Sequence, residues 1–496
     1  MTTTGVGWQR LSPLMLLVHP VHEVLRQIPI IIGSVVLGSA TGNPMVAFVV
    51  LGITVAVGVA RWFTTTYRME PRDVVLRSGI LQRTVLSVPR NRIRSVSTDA
   101  RLLHRVLGLT VLRISTGQEA KGDTVFALDA VRAEQVPQLR AVLLAESLAP
   151  VDDEAAEPGR VLASWQPSWL RYSPLSLTGL AMIAGALGLA YQVGAGAALS
   201  NWGVEESGKE IAERFGVVLT VATAAVVVLL ASVLLSVLQS LLSYGNLELH
   251  RRNADGNNGV LHLKHGLVRV RENTFDMRRL RGGTLREPLL VRLFGGARLD
   301  AVMTGVGGQG EASVLLPPCP RATAQAVLTE LIASPDPVSG PLRRHGPAAT
   351  RRRWTRALVL PAIAVAVLVI VGVPLWAWAV WAAVTVCCAL LAFDRSRSLG
   401  HRVGGGWLVA RAGSVQRRRD CIAAPGIIAW TVRQTLMQRR AGVATLVAAT
   451  AAGVKQYQVI DVPADLAWSI AVEASPWVAD PEWARPAVVG AAQSKA

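Results

Sequence analysis

From Phe215 to Tyr244 the chain runs for thirty residues without a charge. As a helix this run would be about 45 Å long, well beyond the ~30 Å of a small domain. About 20 apolar residues already cross a hydrocarbon core. A water-soluble core cannot swallow such a segment, so a membrane span is the expectation. Three more stretches are similar. Gln27 to Phe63 holds only Arg61 and is split by "SATGNP". Tyr172 to Ser200 is uncharged, and so is Ala357 to Phe393, which is split near Gly372-Val-Pro374. Together they predict six helices in three hairpins. The first span has the least margin, because Pro29 and the short Ile30–Gly38 run confine it. An earlier start at Leu14 would bring His19, His22, Glu23 and Arg26 to the interface. The first apolar run begins late and is followed at once by a second, the pattern of an anchored hairpin rather than a cleaved signal peptide.

Composition supports this reading and adds a direction. Hydrophobic residues make up 51% and charged residues only 17%, yet the formal net charge is +18. Such a balance favours an anionic partner, either a lipid surface or nucleic acid. The loop Asn201 to Arg214 carries more acid than base, and the breaks at 39–43 and 372–376 are uncharged. Arginines crowd the other span ends: Arg61, Arg68, Arg72, Arg251, Arg252, Arg351, Arg352, Arg353, Arg356, Arg395 and Arg397. The positive-inside rule therefore puts both termini and the long inter-hairpin segments on the cytoplasmic side of the cell membrane. Cys319, Cys387, Cys388 and Cys421 have neither metal-ligand spacing nor a disulfide framework.

One phrase occurs three times between these hairpins: "LLHRVLGLTVLRI" from Leu102, "LLVRLFGGARLDA" from Leu289 and "LMQRRAGVATLVA" from Leu436. An anchor glycine precedes each phrase glycine at one fixed interval: Gly79 and Gly108, Gly266 and Gly295, Gly413 and Gly442, each pair 29 apart. Two residues before each anchor stands a base, Arg77, Lys264 or Arg411. Three before each phrase glycine stands Arg105, Arg292 or Arg439. Short runs rich in Val, Ile and Thr, such as "DVVLRSGI" and "TVLRIST", read as strands. Gly79 sits where a hairpin turn needs positive φ. The phrase reads as a helical turn stopped by Gly108 and followed by a strand, with Leu102, Leu103, Val106 and Leu107 packing inward. Arg105 is expected to salt-bridge within its own domain, with contact between domains as the alternative. The stretches "AVRAEQVPQLRAVLLAE", "RATAQAVLTELIA" and "ADLAWSIAVEA" read as closing helices.

The passage from Tyr67 to Gly117, with "R-x-G-x-x-x-R", "VP-x-x-R-I-x-S-V" and the leucine phrase, resembles the bacterial PH-like (pleckstrin-homology-like) membrane proteins of the YdbS/YdbT type. The last unit carries an altered version, and the middle one rests on spacing. The resemblance implies a bent antiparallel sheet of about seven strands closed by a helix, and no enzyme activity. It also implies a smaller PH-like membrane protein of the same family as a partner, and a role in cell-envelope homeostasis. The expected fold class is thus six membrane helices plus three β-rich PH-like domains. The expected layout is 1–66 N-terminal segment and first hairpin, 67–148 first PH-like domain, 149–164 linker and 165–244 second hairpin. It continues with 245–335 second, divergent domain, 336–354 basic linker, 355–394 third hairpin, 395–478 third domain and 479–496 tail.

No motif argues for chemistry. "HPVHE" at His19 to Glu23 has helical spacing for a metal, but Pro20 interrupts it and no further cluster joins it. "GVGGQG" at Gly305 lacks the Lys-Ser/Thr of a phosphate loop and reads as a hairpin loop. "HRVGGGW" at His401 is equally weak. Catalytic, cofactor and metal residues are expected to be absent. The candidate contacts for anionic membrane lipid or a partner are Arg77, Arg83, Arg90, Arg92, Lys264, Arg269, Arg411 and Arg417, against the plainer reading of a solvated cationic surface. Each Arg near an anionic leaflet contributes ~1 kcal/mol of attraction. Aromatic residues are scarce in these segments, so nucleic acid is not expected. The expected function is a non-catalytic membrane scaffold or adaptor. The alternative is a transporter or export component, which would need polar groups along a path, and the spans offer little beyond Ser, Thr and Gln239.

Overall fold

The computed structural model describes residues 63–115, 126–144, 159–192, 216–252, 259–305 and 313–479 with scattered gaps, short pieces between 8 and 14, and a few isolated positions. The first apolar hairpin, His19, His22, Glu23, Arg92, the 201–212 part of the acidic loop and the tail beyond 479 lie outside the described residues. The chain divides into two compact units, Met1–Arg279 and Leu280–Ala496.

The first unit opens with β1 (Gln9–Arg10), β2 (Thr66–Met69), β3 (Asp73–Ser78) and β4 (Thr84–Pro89), paired in that order as one antiparallel sheet. Period-two alternation puts Val74 and Leu76 of β3 inward. Next come β5 (Ser95–Ala100), helical turn α1 (Leu102–Val106), β6 (Leu109–Ser115), β7 (Phe126–Arg132) and helix α2 (Val136–Leu144). Tyr67, Val74, Leu76 and Val88 share one core with Leu112, Ile114 and Leu128, and Val136 and Leu143 of α2 close it. The second half of the unit holds β8 (Arg160–Ser164), apolar helices α3 (Thr178–Gln192) and α4 (Val217–Tyr244), then β9 (Glu248–Arg252), β10 (Val260–His265) and β11 (Val270–Asp276). Helices α3 and α4 meet through small residues. A Cβ on Gly179 would lie 1.9 Å from the Ser232 carbonyl oxygen. The Gly179 amide donates to Ser236 Oγ at 2.7 Å.

The second unit contains β12 (Leu280–Pro288), helical turn α5 (Leu289–Leu293), β13 (Gly296–Met303), β14 (Val314–Pro320) and α6 (Arg321–Ile332). The hairpin α7 (Gly346–Val371) and α8 (Leu375–Ser398) follows, then β15 (Gly400–Gly404), β16 (Trp407–Ala412) and β17 (Gln416–Ala423). Strand β18 (Ile427–Arg433), helical turn α9 (Leu436–Arg440), β19 (Val443–Thr450), β20 (Gln456–Pro463) and helix α10 (Ala467–Ala474) complete it. Leu408, Ile422, Leu446, Val459 and Ile470 form its last core, again closed by a helix. Trp381 of α8 donates to the Pro361 carbonyl of α7 at 3.0 Å, tying the two helices together. "HRVGGGW" is a tight hairpin. Gly405 (φ 58) and Gly406 (φ 80) supply the two positive-φ positions that a two-residue turn needs.

Sheets continue from one strand set into the next. In the first unit the order is β7-β6-β5-β11-β10-β9-β8, so β5 pairs with β11. In the second it is β14-β13-β12-β17-β16-β15, so β12 pairs with β17. Short pairings also join residues on either side of the apolar segments. Gln9 and Arg10 pair with Tyr67 and Thr66, β8 pairs with β9, and Arg343 bridges His401. Residues 160–164, expected within a linker, are therefore a sheet strand. Helix α7 begins at Gly346 and α8 ends at Ser398, both beyond the uncharged run of 357–393. The arginines at this hairpin's span ends thus stand on its helices. Among the described residues, α4, α7 and α8 are long and apolar enough to cross a membrane. The antiparallel sheets and these helices fit a PH-like plus membrane-helix architecture.

Both glycine series occupy equivalent backbone states. Gly79, Gly266 and Gly413 have φ of 125, 102 and 102, and Gly108, Gly295 and Gly442 have 65, 73 and 65. Each phrase is a helical turn, a left-handed glycine and a strand. One expectation is corrected: Leu102 and Val106 are 55% and 77% exposed. The turn is only five residues long, and its buried side chain is His104.

Candidate functional site

Five of the eight basic residues singled out in the sequence have a partner within their own unit. Arg77 is exposed, with its guanidinium 3.9 Å over the ring of Trp8. Arg83 is exposed and Arg90 half-buried. Lys264 faces Glu272 across the β10–β11 pair, 3.8 Å away. Arg269 makes a two-pronged contact with Asp99, its Nε donating at 2.6 Å. Burial raises the Asp99 pKa, but the Arg269 hydrogen bonds and the charges of Arg269, Arg113 and Arg271 outweigh it and hold the carboxyl below its ordinary range. Arg411 donates to the Ser398 carbonyl at 2.8 Å and the Arg397 carbonyl at 3.3 Å, satisfying acceptors at the end of α8. Arg417 meets Asp394 at 2.7 Å and Glu287 at 3.9 Å. Lys264, Arg269, Arg411 and Arg417 are thus engaged within the protein.

Arg105 and Arg292 perform a matched task. Arg105 Nη1 donates at 2.7 Å to the Leu267 carbonyl, one residue past the anchor Gly266. Arg292 Nη1 reaches the Ser414 carbonyl, one residue past Gly413, at 3.4 Å, and its Nη2 donates to Asp394 at 2.8 Å. Each arginine clasps the hairpin of the following strand set.

A concave site does form, and from other residues. At the foot of α7 and α8 lies a cleft of about 490 Å³ lined by Arg344, His345, Thr350, Trp354, Phe393, Ser396 and Arg397. Arg344 and Arg397 are exposed, and the Arg397 guanidinium lies 4.4 Å over the Phe393 ring. The first turn of α7 adds its unpaired amides and positive dipole end at the same place. Behind the cleft, His345 Nδ1 lies 2.8 Å from the Ile460 carbonyl and Nε2 lies 2.9 Å from His401 Nδ1. A carbonyl only accepts, so a neutral His345 carries its proton on Nδ1 and accepts at Nε2 from His401. Burial pushes both imidazoles down, His401 to about 4 with help from His345 and Arg343. Deeper still, the fully buried Asp461 takes Arg352 at 2.6 Å, Arg353 at 2.7 Å and the Gln438 amide at 2.8 Å. This network fixes the foot of α7 to β20.

The sequence marked Arg397 only as one of many span-end arginines and did not single out Arg344. They are 53 residues apart, and only the hairpin returns one to the other. What the cleft can do chemically is hold an anion against two guanidiniums with an aromatic wall beside it. Among the described residues no group of three or more His, Cys, Asp or Glu could hold a metal ion.

Antiparallel sheets closed by a helix, together with long apolar helices, fit the PH-like plus membrane-helix class. Residues 27–147 match the bacterial PH domain family, and the chain carries that domain at its N-terminal end. No curated protein and no solved structure matches the chain.

Proposed function

We propose that the protein is a non-catalytic integral membrane scaffold, with three PH-like domains joined edge to edge and carried on six spans in three hairpins. Both termini and the domains face the cytoplasm in this reading. The supporting observation is that β5·β11 and β12·β17 repeat one junction. Counting from the phrase glycine on one strand and the anchor glycine on the other, Asp99↔Arg271 sums to 370 against 374 for Gly108 plus Gly266. Arg286↔Arg418 sums to 704 against 708 for Gly295 plus Gly413. The register is the same in both, four short of the glycine sum. Within each unit a backbone ladder locks one strand set to the next, and such fixed joining is what a scaffold requires.

Two measurements test this. Ser97→Cys with Asn273→Cys places thiols at a paired position of the first junction, and an intrachain disulfide in native membranes is expected. Failure of that disulfide, or an external signal from a reporter fused at residue 155, would sink the scaffold reading.

The cleft supports anionic lipid as a ligand of this scaffold. Attraction of ~1 kcal/mol per arginine near an anionic leaflet predicts a preference for phosphatidylglycerol over phosphatidylcholine nanodiscs, weakened by salt. Arg344→Gln with Arg397→Gln is expected to remove it. An unchanged preference in that variant would exclude the cleft as the lipid site.

A further inference from the structure

The two internal junctions show what a complete edge looks like, and among the described residues β18 is the same edge left open. Strands β5, β12 and β18 stand at corresponding places, ending 8, 7 and 9 residues before their phrase glycines. The first two are covered by β11 and β17. The last stands at the end of a three-stranded sheet, β18-β19-β20. Exposure follows: Thr284 of β12 is buried, whereas its counterpart Thr431 is exposed, and Ile428 is 66% exposed. The clasp is open as well. Arg105 and Arg292 each hold a hairpin carbonyl, but Arg439 is exposed and makes no side-chain hydrogen bond or ion pair among the described residues. Beside it Leu436 and Met437 are 80% and 65% exposed.

Charge decides what fits. Each internal junction carries an acid on the first strand, Asp99 facing Arg269 in one and Glu287 facing Arg417 in the other. At the two positions corresponding to Asp99 and Glu287, the third set has Arg433 and Gln434. A second copy would offer β4, among the described residues the one open edge of the covering kind. In the shared register β4 would bring Thr84 against Arg433 with Arg83 beside it, and it supplies no acid. Head-to-tail joining of copies would therefore set arginine beside arginine without the carboxylate that each internal junction has. That arrangement guards against open-ended chains of the protein.

Resting on the edge-to-edge reading above, we infer that β18 and Arg439 form a docking edge for an acidic β-hairpin of a different polypeptide. That hairpin has a glycine at its turn for Arg439 to clasp and a carboxylate opposite Arg433. It adds one strand to the sheet, so backbone hydrogen bonds supply affinity and the carboxylate supplies selectivity.

The test uses the full-length protein in nanodiscs and a synthetic hairpin probe with the sequence of residues 407–423, which covers β12 within the chain. One probe keeps the native arginines, and the other carries Arg417→Glu and Arg418→Glu, so that a carboxylate faces Arg433. The acidic probe is expected to bind at least tenfold tighter than the native one. Arg433→Glu in the protein is expected to reverse that preference, and Thr431→Pro to abolish binding of both probes. Equal binding of the two probes, or a preference unmoved by Arg433→Glu, overturns the inference. So does an intermolecular disulfide between Val432→Cys and Val85→Cys copies, which would make a second copy the occupant. If the Ser97–Asn273 disulfide forms while the acidic probe fails, the docking edge is lost and the scaffold stands. If that disulfide fails too, both fall.

Discussion

The junctions β5·β11 and β12·β17 have one geometry and two sets of charges. In both, the register is four short of the glycine sum, and an arginine clasps the carbonyl after the anchor glycine. The ion pairs differ. The first relies on Asp99 within β5, held by Arg269 and approached by Arg113 at 3.6 Å. The second spreads the task over Glu287 of β12 and Asp394 near the end of helix α8, which together hold Arg292, Arg321 and Arg417. Backbone conformation is the shared part, and charge is the part free to vary. The second junction is also tied to its apolar hairpin, through Asp394.

The shared part should fail most severely. A Cβ on Gly266 would lie 2.1 Å from the Arg269 carbonyl oxygen, and one on Gly413 would lie 2.1 Å from that of Gln416. Both glycines also have φ of 102. Left-handed strain and overpacking together suggest a loss of about 3 kcal/mol for Gly266→Ala and a similar loss for Gly413→Ala. Denaturant unfolding of the two variants would compare them directly. If only one variant is destabilised, the junctions are not equivalent.

The variable part should separate them. Asp99 is 7% exposed at its side chain, and among the described residues Arg269 has no second acid to replace it. Breaking a buried pair costs about 3–5 kcal/mol, and with Arg269 one-third exposed the expectation for Asp99→Asn falls to about 2 kcal/mol. Glu287→Gln leaves Asp394 on Arg417, so about 1 kcal/mol is expected. A cost for Glu287→Gln above that of Asp99→Asn would break the distinction. Asp99 also predicts a pH slope. Its pKa is lowered on folding, so its contribution is present above the ordinary carboxylate range and is lost as pH falls from that range through the lower folded value. The slope should vanish in Asp99→Asn.

The clasps sharpen the comparison further. Arg105→Met removes one hydrogen bond to a carbonyl and should cost about 1 kcal/mol. Arg292→Met also removes the Asp394 pair and should cost somewhat more. Arg439→Met should leave unfolding of the chain within about 0.5 kcal/mol of the parent, because that clasp is empty. A substantial loss from Arg439→Met would show that it acts within its own strand set.

How much of this was legible beforehand depends on range along the chain. Spacing of 29 residues located both glycine series, because a positive φ is a local demand that only certain residues meet without strain. The uncharged runs located α4, α7 and α8. The pairing of β5 with β11 was not legible, because edge strands advertise no partner and the two lie about 170 residues apart. Exposure of Leu102 and Val106 was missed because a leucine-rich turn looks like core when its neighbours are unknown. Arg269 and Arg417 looked like free cations for the same reason: their acids, Asp99 and Asp394, lie elsewhere in the chain. The cleft needed Arg344 and Arg397 brought together by the return of a membrane-length hairpin.

The smallest expected effect concerns protons. His345 and His401 are neutral and buried, and their pKa values are lowered from 6.5, that of His401 to about 4. A histidine depressed on folding contributes stability that is present above its unfolded pKa and is lost as pH falls toward the folded value. The second unit should therefore weaken only slightly between pH 7 and 6 and progressively from there toward 4. The Arg343–His401 bridge that ties the foot of α7 to β15 should loosen over the same window. His401→Gln keeps a donor toward His345 but cannot charge, so its unfolding midpoint should be flatter across that window. His265 of β10 is also pushed down by burial, though it bonds the Ser243 carbonyl and has no second imidazole against it. The first unit should thus respond more shallowly than the second. Amide exchange followed at pH 7 and 5 in each unit would show this, and a steeper response in the first unit would mean that the histidine pair is not what the second unit loses in acid.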